Sequence, residues 1–528
     1  MTSSASNGYP SPGLQTVFLA AEIGIGIRYF CQTEVLKELV ARYISVVVLV
    51  PNPDEIRALL ASEFPTVRVG TLRVDQLDHA FATTSRRSFQ LRALIFASAN
   101  HLRITGMSRR MNLAVPRDYR KLTERQWKQG RSRLRHLIPP LAATAALLRR
   151  SQPARKLFEW LLARRPLDNF YSELFDKYSP ALVVASSPGW WPGEEMLFRE
   201  AQARGIKTLG VVTGWDHPCS KGLPGARPDR IAAWSNIHRQ ELVLGSDFDE
   251  KAVAVSGPVH FDFYRNPASA SSRESYLKSL DLDPGRRLIT FGCTFVGMSP
   301  NLIIVQALAK AIADDAFGVP VQLLIRLHPS HLKPAVGKYR EVRQEGEKFY
   351  ELAKRFPHVR IDSPVLGSHG IPNYTAPADA RSLASLFAHT DVFVTLFSTM
   401  VLESCFNDVP VVAAAFDPPA SELEDFLPIS EALDWPTHDR IIRSGAASVV
   451  RDPDALINAV RRYLEQPQLH SRERRGFAEQ ECTFVDGRCA ERLADLIESL
   501  ARGSGAKGAS SASRLEESGS GDRIRVNR

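Results

Sequence analysis

A chain of 528 residues is too long for one ordinary core, and a hydrophobic content of 44% is enough to fill two. Its six scattered cysteines include no Cys-x-x-Cys pair, which excludes a zinc knuckle and a disulfide scaffold and favours a reducing cytoplasm. The net charge of +9 is uneven: residues 86–165 hold 20 Lys and Arg against three acids, so the remainder is slightly acidic.

Residues 1–14 are polar and turn-rich, lack the blocks of a secretory signal and are expected to be disordered. Thr16–Ala21 reads as the first strand. It runs into Glu22-Ile23-Gly24-Ile25-Gly26, a helix over Tyr29–Arg42, a second strand at Ser45–Val50 and a helix opened by Pro53. Strand, glycine turn, helix, strand is the βαβ pattern. Residues 75–165 break that rhythm with basic helices punctuated by Pro116, Pro139, Pro140 and Pro153, and read as an insertion into the first domain. The alternation resumes with strands at Ala181–Ala185, Thr208–Val212, Ile231–Trp234 and Ala252–Val255, and a helix over Glu194–Arg204. Residues 266–286, rich in Ser, Asp, Pro and Gly, read as a linker. Beyond it lie strands at Leu288–Gly292, Val321–Leu327, Val359–Ile361, Val392–Leu396 and Val409–Ala413, and helices over Asp379–His389 and Met400–Phe406. The pattern predicts an α/β protein of two doubly wound, Rossmann-like domains, 15–265 and 287–486. A helix within 487–502 and a disordered tail at 503–528 complete the chain. Ligands bind such sheets at the carboxyl ends of the strands, so the cleft between the domains is the expected site.

Three segments carry candidate chemistry. In Asp391–Glu403 a buried strand ends in small hydroxyl residues that open a helix. Ser398 or Thr399 can cap that helix, and its free N–H groups and positive end suit a diphosphate. Glu403, one turn on, can accept from a ribose or sugar hydroxyl. Taken alone, the same residues also fit an ordinary N-cap with a surface glutamate. Leu324-Ile325-Arg326-Leu327-His328-Pro329 delivers Arg326 and His328 to a strand tip, where two donors suit a phosphate or a leaving diphosphate. Gly214-Trp215-Asp216-His217-Pro218-Cys219-Ser220-Lys221 follows a first-domain strand. It places Asp216 or His217 where an acceptor hydroxyl needs a general base, with Lys221 able to hold a phosphate. Asp247-Phe248-Asp249 and Asp281-Leu282-Asp283 are read as loop carboxylates and not as a metal pair. Gly24 and Gly26 lack the third glycine of a dinucleotide fingerprint, which excludes a nicotinamide cofactor. No cofactor and no metal are expected.

These segments resemble GT-B transferases, above all the bacterial branch of CDP-glycerol glycerophosphotransferases and related surface-polysaccharide enzymes. That branch carries Trp-His-Gly-x-x-x-Lys in its first domain and His-Pro in its second. Trp215 and Lys221 keep that spacing, with Asp216 where the family has its first histidine, and His328-Pro329 is similar to the second element. Gly257-Pro258-Val259-His260-Phe261-Asp262 is similar to a Gly-x-Pro-x-x-Asp stretch before the linker. Gly24-Ile25-Gly26 resembles the glycine turn that lets a donor or acceptor phosphate approach the backbone.

The resemblance implies an inverting, metal-independent transfer from a nucleotide-activated donor to a surface glycan or lipid-linked acceptor. Asp216, or else His217, is the expected base; Arg326, His328, Ser398 and Thr399 hold the leaving nucleotide. The alternatives are glycerol phosphate transfer, a non-hydrolysing sugar-nucleotide 2-epimerase, and a non-catalytic nucleotide- or glycan-binding protein. The basic segment, with interleaved Leu137, Ile138, Leu141, Phe158 and Trp160, is expected to dock on an anionic membrane surface at the inner face of the cell membrane. Nucleic acid fits it less well, because a stacking platform is missing.

Overall fold

The computed structural model describes residues 15–74, 107, 110–113, 153, 156, 170–221, 224–294, 302–332, 340–367, 371, 373–419 and 428–503. The expected disordered ends, and almost all of the basic segment with its membrane docking, lie outside these residues. Among the described residues no helix is long and apolar enough to cross a membrane.

Two all-parallel sheets form. The first contains β1 (Thr16–Ala20), β2 (Ser45–Val50), β3 (Arg68–Thr71), β4 (Leu182–Ala185), β5 (Lys207–Val211), β6 (Arg230–Ala233) and β7 (Val253–Val255), in the order β3-β2-β1-β4-β5-β6-β7. The second contains β8 (Arg287–Gly292), β9 (Val321–Arg326), β10 (Val359–Asp362), β11 (Val392–Thr395), β12 (Val411–Ala414) and β13 (Ser448–Val450), in the order β10-β9-β8-β11-β12-β13. The architecture is two doubly wound, Rossmann-like α/β domains. Both faces of the strands are covered, which is why they read as unbroken apolar runs. Val17 and Leu19 face one core while Phe18 and Ala20 face another. Strand order reverses between β1 and β4 and between β8 and β11, the points at which doubly wound sheets in general bind ligands.

Some elements differ from expectation. The helix expected over Tyr29–Arg42 is two helices, Gly24–Cys31 and Val35–Ala41. Thr33 breaks it: its hydroxyl donates to the Tyr29 carbonyl at 2.6 Å. The 266–286 stretch contains a helix, Arg273–Ser279, capped by Ser272 and tied by Arg273 to Asp391 at 3.1 Å. Strands β3 and β13 are short edge strands with little alternation to reveal them.

The Gly257–Asp262 element is a clamp. Gly257 has φ +88°, and a Cβ there would lie 2.3 Å from Cys489 Sγ, so only glycine fits. Asp262 caps the last helix, Cys489–Ala501, accepting from the Cys489 and Ala490 N–H groups at 3.0 and 2.7 Å. Such a cap contributes about 0.5–2 kcal/mol. That helix returns to the first domain, where Asp495 accepts from Arg42 at 2.6 Å.

Candidate active site

The first-domain side of the cleft is built by the loop after β5. Gly214 is required there, because a Cβ would lie 2.4 Å from His217 Nε2. The His217 ring stands edge-on to Trp190 and Trp191, with centroids 5.8 and 6.3 Å away. Both indole N–H groups are buried without a hydrogen-bond partner among the described residues. Burial, offset in part by Asp216, pushes the His217 pKa down to about 4, so it is neutral at neutral pH. Asp216 is partly exposed. Burial raises its carboxyl, but His217 and Lys221 outweigh that and hold it below the ordinary range. With His217 neutral, Lys221 is the lasting positive charge at neutral pH, and Asp216 is ionised as a base must be. Lys221 Nζ lies 5.4 Å over the Trp191 ring.

The second domain supplies the opposite side. Helix Thr399–Phe406 starts at Ser398, whose side chain makes no cap bond to it and instead meets Thr395 Oγ1 at 3.2 Å. The N–H groups of its first turn are thus not consumed by the Ser398 hydroxyl. Glu403 accepts from the Tyr264 hydroxyl at 2.7 Å. Burial raises its carboxyl above the usual range, against the pull of Tyr264, Arg28 and Arg326. His328 Nδ1 accepts the Ser330 N–H at 3.1 Å, which places the ring proton on Nε2 as a donor. Arg326 is only 5% exposed and is gripped by Asp362, at 2.9 Å, and Asp379. Its first partners are therefore these two carboxylates.

His438, which sequence reasoning missed, packs beside this helix start. Its ring lies 4.9 Å from Phe397, directly before Ser398, and stacks on Trp435 at 5.4 Å. Burial lowers its pKa to about 4, while its bond to the Ala432 carbonyl and the nearby Asp216 carboxylate act against that. The Asp216 carboxylate thus acts electrostatically on an imidazole whose ring packs on the residue before Ser398. No periodicity marks His438; Pro436 signals only that a helix begins nearby.

Gly24 and Gly26 serve close packing. They form the first turn of helix Gly24–Cys31. A Cβ on Gly24 would lie 2.3 Å from the Tyr374 backbone of the second domain, and one on Gly26 would lie 2.4 Å from the Ser186 side chain. Of the two Asp-x-Asp strings, Asp249 caps a turn through the Lys251 N–H, Asp281 holds Arg360 and Asp283 accepts from Gly285.

At the first switch point, beneath this loop, lies a buried carboxylate that the sequence did not advertise. Glu194 is 0% exposed and accepts from the hydroxyls of Ser186 and Ser187 and from the Glu22 N–H. Burial and the neighbouring Glu22 raise its pKa from 4.5 to about 8, although the two serines and the Glu22 N–H oppose this. A carboxyl with a raised folded pKa stabilises the fold fully below its unfolded pKa, and that contribution is lost as pH rises through the folded value. Glu194→Gln, which cannot ionise, is therefore expected to gain melting temperature relative to the parent between pH 5 and pH 9. Parallel pH curves for the two proteins would show that Glu194 does not hold a proton in the fold.

Residues 247–499 match the family model of CDP-glycerol:poly(glycerophosphate) glycerophosphotransferase. No curated protein sequence matches the chain. Among solved structures, a glycosyltransferase from Rickettsia africae ESF-5 is 11% identical with TM-score 0.48, over 93% of this chain and 100% of that one. The S. aureus MnaA-UDP co-structure is 12% identical with TM-score 0.48, over 92% and 96%. A variant of the wall teichoic acid polymerase TagF soaked with CDPG is 13% identical with TM-score 0.39, over 63% and 74%. The second half of the chain is thus similar to the CDP-glycerol:poly(glycerophosphate) glycerophosphotransferases, and the whole folds as two doubly wound α/β domains.

Proposed function

We propose that the protein moves a sugar or sugar-like group from a nucleotide-activated donor to a hydroxyl of a surface glycan or lipid-linked acceptor, with inversion and without a metal. The observation that carries this reading is that the loop after β5 presents an ionised carboxylate, Asp216, while the second domain presents, at the end of β11, a helix start that the Ser398 side chain leaves uncapped. Asp216 takes the acceptor proton, the hydroxyl oxygen bonds to the transferred carbon, and the bond to the diphosphate breaks on the far side. The helix start and the His328 Nε2–H take up the leaving charge, the work a cation performs in metal-dependent transferases. Glu403, steadied by Tyr264, accepts from a ribose hydroxyl. Arg326, committed to Asp362 and Asp379, supports the strand tip from behind.

The family description names CDP-glycerol as donor, which keeps glycerol phosphate transfer as the second reading; there the leaving group is CMP. Calorimetric titration with CMP, CDP, UDP and GDP tests the donor side. At least one is expected to bind, and Glu403→Ala to weaken it about tenfold, the loss of a charged hydrogen bond. Equal binding by the parent and the Glu403 variant removes Glu403 from the donor site.

A further inference from the structure

The loop that carries Asp216 is held from both domains. Trp215, adjacent to Asp216, is 2% exposed, and its indole N–H donates to Glu481 Oε2 of the second domain at 2.7 Å, a bond spanning 266 residues of sequence. Its carbonyl meets His238 Nε2 of the first domain at 2.8 Å. Burial and Arg440 push the His238 pKa down to about 3, so the ring is neutral and Nε2–H is the donor to Trp215. Phe477 packs edge-on against the indole at 6.2 Å.

Glu481 is itself fixed. Arg440 donates to it through Nε at 2.7 Å and Nη2 at 3.2 Å, and reaches Glu241 of the first domain through Nη1 at 2.8 Å. Both glutamates are 0% exposed and Arg440 is 8% exposed. His238 and Glu241 lie one turn apart on helix Asn236–Ser246, so one helix face of the first domain meets both the Trp215 carbonyl and the bridging arginine. Buried Arg440 thus bridges a carboxylate of each domain, which ties the Trp215 indole and the Asn236–Ser246 helix into one network. The network ends on the residue before the candidate base, which no requirement of sheet packing explains.

We propose that Glu481, oriented by Arg440, is a positioning residue for transfer: through the Trp215 indole the second domain sets where the Asp216 carboxylate stands relative to the donor. This rests on Asp216 being the base. It adds that the base is aligned only when the two domains are docked as seen here, so the donor-bearing half completes the acceptor-side machinery.

Trp215→Phe removes the indole N–H together with part of the ring, and leaves the Arg440–Glu481–Glu241 ion pairs in place. Glu481→Gln, which keeps an acceptor oxygen for the indole, and Glu481→Ala, which removes it, accompany it. Nucleotide release is measured from UDP-N-acetylglucosamine, UDP-glucose, GDP-mannose and CDP-glycerol with a cell-envelope glycan and lipid extract. CDP and UDP binding is measured by calorimetry, and a crystal structure of Trp215→Phe is determined. The expected result is a kcat about tenfold lower for Trp215→Phe, nucleotide Kd within about twofold of the parent, and an Asp216 carboxylate displaced by roughly 1 Å. Glu481→Gln is expected to retain more activity than Glu481→Ala. A Trp215→Phe loop that superimposes on the parent, parental kcat, or a nucleotide Kd that worsens in step with kcat overturns the proposal. Asp216→Asn is run beside them. If it is inactive while Trp215→Phe is normal, positioning fails and the base assignment stands; if it is fully active, the base assignment itself fails.

Discussion

Asp216→Asn is expected to reduce transfer about a thousandfold while nucleotide affinity stays at the parental level. The asparagine keeps the size of the side chain and its place at the start of the short helix His217–Ser220, but it cannot accept a proton. General base catalysis contributes about 10²- to 10⁴-fold, which sets the size of the loss. Donor binding is spared because Ser398, Thr399, His328 and Glu403 all belong to the second domain. A fall in kcat with unchanged nucleotide Kd marks an interaction made in the transition state. The competing base is His217. Its ring is neutral, as a base must be, but stands edge-on to two indoles and fills the space where a side chain at Gly214 would lie. Loss of transfer in His217→Ala with none in Asp216→Asn would move the role to the histidine.

Arg326→Met is expected to cost stability first. The guanidinium pairs with both Asp362 and Asp379, and all three side chains are buried. Removing one partner of a buried ion pair costs about 3–5 kcal/mol, because the carboxylates left behind cannot regain water. Burial already raises the Asp362 carboxyl, and only Arg326 opposes this. For a domain of this size the melting temperature should fall by roughly 6–20 °C. The alternative, that Arg326 binds the donor phosphate directly, predicts the reverse pattern in a thermal melt and a nucleotide titration. Stability would be kept and affinity lost.

The contrast between these two residues shows what the sequence carries. The paired sheets are legible because each strand is an apolar, β-branched run between turn residues, as in Ser45–Val50 and Val321–Arg326. Asp216, His328 and Ser398 are legible for the same reason, since each lies just past a strand end where a parallel sheet presents ligand groups. Partners are not legible. Asp362 and Asp379 lie 36 and 53 residues beyond Arg326, and only the folded sheet brings them to it. His438 and Glu481 come from helices with no motif of their own. The glycines at 24 and 26 signal close approach correctly in kind, yet the groups that approach are Tyr374 and Ser186 of the chain itself. The break at Thr33 is equally hidden, because a threonine hydroxyl turning back to a carbonyl leaves the apolar periodicity intact.

Transfer of an activated group from a nucleotide to an acceptor is tested most directly by following the group itself. The protein is incubated with sugar-labelled UDP-N-acetylglucosamine, UDP-glucose and GDP-mannose and with glycerol-labelled CDP-glycerol, each with and without a cell-envelope glycan and lipid extract. Label is expected to enter the extract from one of the sugar nucleotides, with release of the nucleoside diphosphate only when the extract is present. Label entering from CDP-glycerol with release of CMP would replace sugar transfer by glycerol phosphate transfer. A 2-epimer formed without extract, or bound nucleotide with no label moved from any donor, would contradict transfer.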